Sequence, residues 1–110
     1  MTPPFQTQPR PTRNYEVPVW DRIWNKWWFP KGLLPITRMR RALGKVKYGT
    51  DLQPFNGRDA VYDAVEESLD HLAYVEQVSR EGRLPTVVCT FLQLLGLFSV
   101  WVLVTFSKQV

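Results

Sequence analysis

Residues 84–107 read LPTVVCTFLQLLGLFSVWVLVTFS, 24 positions without a charged side chain. As a helix, a run of that length extends about 36 Å, enough to cross a hydrocarbon core of about 30 Å. A 110-residue chain has little other protein with which to cover a helix that is apolar on every side. The stretch therefore predicts a single transmembrane helix. Thr90, Gln93, Ser99 and Thr105 are its polar interior positions; the hydroxyls can return hydrogen bonds to the helix's own carbonyls, and Gln93 suits contact with a partner helix. Pro85 fits the first turn and Trp101 the far interface. Cys89, the one cysteine, excludes an intrachain disulfide or a multi-cysteine metal site and reads as a small apolar filler.

Arg80 and Arg83 precede this segment and Lys108 follows it, so the count of flanking cations predicts a single-pass protein with its N-terminal body in the cytoplasm. Residues 1–18 hold Pro3, Pro4, Pro9, Pro11 and Pro18 and no apolar run, which is not the pattern of a secretory signal. The apolar segment then serves as its own targeting signal. At that proline density residues 1–18 read as a disordered or extended arm of polyproline character.

Trp20, Ile23, Trp24, Trp27 and Trp28 follow helical spacing, with Asp21, Arg22, Asn25 and Lys26 on the other side, and Pro30 closes the run. This predicts an amphipathic Trp-rich helix over 19–29. Two roles fit the stripe: a packed core face, or a membrane-interface helix with Trp20, Trp24, Trp27 and Trp28 among the lipid headgroups.

Charge is segregated beyond it. Arg22, Lys26, Lys31, Arg38, Arg40, Arg41, Lys45 and Lys47 occur without an acidic residue up to Thr50; residues 51–81 then carry eight carboxylates against Arg58 and Arg80. A net +8 thus stands beside a net −6, within an overall +4. The basic block suits a solvated face, anionic lipid, a phosphate-bearing ligand or the chain's own acidic segment. No motif for reading bases accompanies it, so nucleic acid is not an expected partner.

Asn56 is placed to cap a helix that starts near Gly57 or Arg58, whose apolar face would be Val61, Val65, Leu69 and Leu72. Asp59, Asp63, Glu66 and Asp70 then fall within about 60° on the opposite face, with Glu67 at its edge. Stacked carboxylates repel, so this face predicts a cationic counterpart. Mg²⁺ accepts one or two carboxylates plus phosphate oxygens, and Glu67 with Asp70 forms an i, i+3 pair. His71, the lone histidine, Ser68 and Ser79 have no placed catalytic partner, and no G-x-S-x-G, P-loop or dinucleotide fingerprint occurs.

The run KYGTDLQPFNGRDA at 47–60, followed by DAVEESLD at 63–70 and Tyr74, resembles a family of bacteriophage-encoded MazG-like proteins related to the all-α nucleoside triphosphate pyrophosphohydrolases. The similarity covers about residues 36–77. It implies hydrolysis of a nucleoside triphosphate, often a deoxynucleotide, to the monophosphate and pyrophosphate. It also implies Mg²⁺ held by an ExxE pair on one helix and an ExxD pair on the next, in a dimeric or larger helical bundle. Carried over by position, Glu67 and Asp70 match the ExxD, with Glu66 and Asp63 beside them as further metal candidates, and Lys47, Asn56 and Arg58 stand in the motif loop as phosphate-binding candidates. The preceding helix, expected over 36–46, reads ITRMRRALGKV and contains no carboxylate. Arg38, Arg40 and Arg41 stand instead in the helix that should supply the ExxE, which lowers metal affinity while leaving donors for phosphate or for the acidic helix.

The sequence thus predicts an all-α chain: the 1–18 arm, the 19–29 Trp-rich helix, a MazG-like helical hairpin over 35–81 and a transmembrane helix over 84–107. The soluble part is marginal for an independent core, which predicts a homo-oligomer or a larger complex. Two functions follow. One is a membrane-anchored, phage-encoded MazG-like protein, catalytically degenerate, that binds nucleotide phosphate or Mg²⁺. The other is a small single-span subunit with a structural role in a larger complex or virion.

Overall fold

The computed structural model describes residues 8–108 and is all-helical among them, with no strand. Four helices follow in order: α1, Val19–Trp24; α2, Leu34–Tyr48, entered through a 3₁₀ turn at Lys31–Leu33; α3, Ala60–Arg80; and α4, Thr86–Phe106. The chain divides between Arg58 and Asp59 into two compact units. That boundary falls inside the segment expected as one hairpin, and the closely packed helix pair is α3 with α4.

In the first unit the arm runs extended from Gln8, and the rest of the proposed 1–18 arm lies outside the described residues. The Trp-rich helix is shorter than its periodicity implies, ending at Trp24 rather than Phe29. Two effects stop it. The Asn25 amide donates to the Asp21 carbonyl (2.8 Å), the acceptor a continuing helix would give to a backbone N–H. Pro30 then disfavours helical backbone at Phe29. Pro35 opens α2, where its missing N–H costs nothing, and Gly49 ends it with an N–H bond to the Lys45 carbonyl (2.8 Å).

In the second unit Asp59, not Asn56, is the cap of α3: its carboxylate accepts the Tyr62 N–H at 3.0 Å. The expected Asn56 cap fails because Gly57 has a left-handed φ of 86°, which turns the chain before a helix can begin, and Asn56 Oδ1 instead takes the Arg58 N–H. At the other end Gly82, φ 71°, closes α3 as expected. Its N–H reaches the Ser79 carbonyl and the Arg83 N–H the Val78 carbonyl, the paired bonds of a Schellman stop. Pro85 then caps α4.

The α3–α4 contact runs through Ser68, His71, Leu72 and Glu76 of α3 and Gln93 and Gly96 of α4. Leu69 of the expected apolar face, about 80° from Val61 around the helix, is 46 % exposed, while Val75, about 40° from Val61 on the other side, is buried. Among the described residues the buried apolar side chains are Tyr62, Val65, Val75 and Cys89. Phe91, Leu94, Phe98, Trp101 and Phe106 of α4 are all exposed.

Candidate functional site

The loop from Gly49 to Arg58, which carries the motif LQPFNGR, is a clasp for the arm. Gln53 is buried, and its side-chain amide donates to the carbonyls of Asn14 and Glu16 (both 2.9 Å) while its oxygen accepts the Asn14 N–H at 3.1 Å. Asn14 Nδ2 answers by donating to the carbonyls of Pro54 (2.9 Å) and Phe55 (3.1 Å). Those bonds hold Phe55 at φ 57°, a left-handed backbone that a bulky residue adopts only under outside constraint. The Asn56 carbonyl accepts both the N–H and the hydroxyl of Thr12 (2.8 and 3.1 Å), and Val19 N–H closes the run on the Leu52 carbonyl (2.8 Å). Proline-rich backbone lacks donors, so the arm is held through its few non-proline N–H groups and by side chains from the loop.

These bonds fix the phosphate candidates. Asn56 is buried in its own turn. Arg58 donates to the Pro9 carbonyl at 2.8 Å and lies 5.9 Å from the Tyr48 ring centroid; Lys47 Nζ lies 5.1 Å from the same centroid. Arg10 and Arg13 donate to the carbonyls of Lys47 and Gly49 at the end of α2 (both 3.3 Å).

One turn earlier on α2 is a charge cluster. Arg41 grips Asp51 through Nε (2.9 Å) and Nη2 (3.1 Å), reaches Asp21 through Nη1 (2.8 Å), and lies 5.2 Å from the Trp24 ring centroid. Lys45 stands 3.7 Å from Asp51. The guanidinium holds the Asp51 carboxyl below the usual carboxylate range, and the paired carboxylates raise the Arg41 pKa further. Arg41 is thus used within its own unit, joining α2 to α1 and to the clasp loop. Arg38 and Arg40 are exposed.

The four tryptophans of the stripe separate into two pairs. Trp20 and Trp24 stack at 6.1 Å, and the Trp24 indole N–H donates to Thr37 Oγ1 (3.0 Å), so these two act in packing α1 on α2. Trp27 and Trp28 are exposed, at 94 % and 56 %.

On α3, Glu66, Glu67 and Asp70 are exposed and Asp63 is half-buried in the first turn. Among the described residues no group of three or more His, Cys, Asp or Glu side chains converges as a metal site. Glu67 and Asp70, one turn apart on α3, are both exposed. Glu67 also lines a shallow groove of about 310 Å³ with Ser68, His71, Leu95, Gly96 and Ser99. Gly96 creates the close approach: a Cβ there would lie 3.3 Å from His71 Cδ2 and 3.7 Å from the Ser68 carbonyl. Gln93, expected to meet a partner helix, meets α3 of its own chain, donating to the Leu72 carbonyl (3.3 Å) and to Glu76 Oε1 (3.2 Å). Arg80, and after it Gln93, hold the Glu76 carboxyl below its ordinary value.

The residues that sequence reasoning missed are Thr12, Asn14, Gln53 and Gly96. The clasp partners lie 33 or more positions apart, beyond any local period, although polar Asn14 among prolines and Gln53 before Pro54 mark positions with side-chain bonds to give. No family model, no curated protein and no solved structure matches this chain.

Proposed function

We propose that this chain is a single-span membrane subunit with a structural or interaction role, anchored by α4 with its N-terminal body in the cytoplasm. The observation that carries the reading is α4 itself: 21 residues long, with 6 % of its most apolar 18-residue stretch buried. An apolar surface of that length is uncovered in water and covered in a bilayer.

Crossing has a further requirement. With α4 docked along α3, a full span would draw Glu67, Asp70 and Glu76 toward the hydrocarbon, at about 2.5–3.5 kcal/mol for an acidic side chain at the bilayer centre. The bilayer therefore takes α4 alone, with the chain turning at Gly82 and the Pro85 cap. Leu72 and Val75 are then left for another helix, from a second copy or a larger assembly. Alkaline extraction of membranes from an expressing host tests the anchor, since a spanning chain stays with the lipid and a chain released to the supernatant refutes the span. Orientation is read with Lys108→Cys in a Cys89→Ala background: an impermeant maleimide labels intact spheroplasts if the end of α4 is outside, and labels only after lysis if the topology is reversed.

A second reading is favoured by the open pair Glu67 and Asp70 on α3. In it the α3 hairpin is a MazG-like element that retains nucleotide phosphate or Mg²⁺ binding and lacks the other half of a catalytic ligand set, since α2 contains no carboxylate.

A further inference from the structure

Helix α2 is built inside out. Leu34, Thr37, Arg41 and Gly44, spaced i, i+3, i+7, i+10, form its part-buried face, which takes the Trp24 indole and grips Asp21 and Asp51. Ile36, Met39, Leu43 and Val46 repeat the same spacing on the other side and are 64 %, 63 %, 55 % and 84 % exposed. At 100° per residue those four lie within an arc of about 80°. A helix on a water-facing domain carries its apolar stripe inward. Here the polar face is inward and the apolar stripe outward, with no described residue of its own unit covering it.

What borders the stripe identifies its occupant. Arg40 and Lys47 lie along one edge, within about 40° of Ile36, and Arg38 lies about 80° beyond the other, while Lys45 faces inward, 3.7 Å from Asp51. Arg38, Arg40 and Lys47 are exposed, and α2 contains no carboxylate. A second copy of α2 laid on the stripe would set cation against cation with nothing to neutralise them. An anionic lipid leaflet supplies both missing parts, an acyl boundary for Ile36, Met39, Leu43 and Val46 and phosphates for the flanking cations. We propose that the outer face of α2 docks on the anionic leaflet of a membrane, lying in its plane as a contact separate from the span of α4. The proposal rests on the membrane reading only in that α4 keeps the leaflet within reach.

The test uses the full chain carrying Cys89→Ser and Leu43→Cys, labelled at position 43 with the environment-sensitive dye NBD. The protein is reconstituted in phosphatidylcholine vesicles with and without phosphatidylglycerol. The expected result is a blue-shifted emission, quenched by nitroxide lipids, in the phosphatidylglycerol vesicles and an aqueous spectrum in neutral ones. Adding Arg38→Gln and Arg40→Gln lowers the docked-to-undocked ratio about fivefold for each charge removed. An aqueous label in both vesicle types overturns the proposal. So does a blue-shifted label that nitroxide lipids do not quench, which means that protein covers the stripe. Carbonate extraction of the same vesicles reads the anchor independently. A stripped chain whose label still docks at neutral pH refutes the span and keeps this contact, and a carbonate-resistant chain with an aqueous label does the reverse.

Discussion

The side-chain amide of Gln53 pairs with the backbone of Asn14 in both directions, accepting its N–H at 3.1 Å and donating to its carbonyl at 2.9 Å, across 39 positions of sequence. A glutamine side chain here imitates a neighbouring strand. It gives a proline-rich arm, which has few donors of its own, a fixed register on the clasp loop.

Gln53→Ala is expected to release that arm. Two carbonyls and one N–H lose their partner; each group left dry costs about 1–3 kcal/mol, and water reaching the arm reduces this, so the net loss is about 2 kcal/mol. Amide exchange at Asn14 and Glu16 should quicken while the α3 amides keep their rates. Unchanged protection at Asn14 would mean that the clasp is held by the remaining bonds from Thr12 and Val19.

Arg41→Met should lower stability by about 2 kcal/mol near neutral pH, because a charged hydrogen-bond pair is lost and Asp51 is left half-enclosed. The pH dependence follows from the depressed Asp51 carboxyl. A folded-state value below the unfolded one contributes stability above the ordinary value of about 3.9 and loses it as pH falls through the lowered value. The gap between wild type and Arg41→Met in denaturant midpoint should therefore be full near pH 7 and narrow under strong acid. A gap that stays constant down to strong acid would assign the effect to the lost packing on Trp24.

Gln93→Leu removes the donor to Glu76 and the most polar side chain of α4. It should raise the fraction of chain that resists alkaline extraction and, while α4 is docked on α3, move the Glu76 carboxyl partway toward its ordinary value, with Arg80 still holding it down. Titration of Glu76 by NMR in detergent reads which state is present, since equal behaviour in both proteins means that α4 has left α3 for the micelle.

Gly96→Ile should part α3 from α4 at Ser68 and His71, since even a Cβ meets the His71 ring at 3.3 Å. Gly96→Ala is expected to fall within about 1 kcal/mol of wild type, because an exposed ring can move and alanine regains helix propensity of about that size. Exchange of the α3 amides around Ser68 is the readout, faster in the isoleucine variant alone.

For the MazG-like reading, calorimetric titration of Mg²⁺ with a non-hydrolysable deoxynucleotide decides. Saturable binding that Glu67→Gln/Asp70→Asn abolishes supports a surviving site, and no binding in either protein leaves the hairpin as scaffold.

The helices were legible where a run of residues carries its own period or composition. The uncharged stretch at 84–107 implied α4 to within two residues at its start and one at its end, and Gly82 marked the end of α3, because an apolar surface or a left-handed residue acts within one turn of chain. Other features were decided only by the fold. Whether Asn56 or Asp59 capped α3 turned on the conformation of Gly57. Whether the tryptophan stripe ran to Phe29 turned on a side-chain bond from Asn25, added to the constraint of Pro30. The order of the arm and the pairing of Arg41 with Asp21 and Asp51 join positions ten to forty-nine residues apart. The outward turn of Ile36, Met39, Leu43 and Val46 was also the fold's decision. Sequence sets which residues share a face of a helix, but which face turns inward is settled by the competing partners that tertiary contact brings to each, and on α2 the carboxylates of Asp21 and Asp51 won the inner side for Arg41.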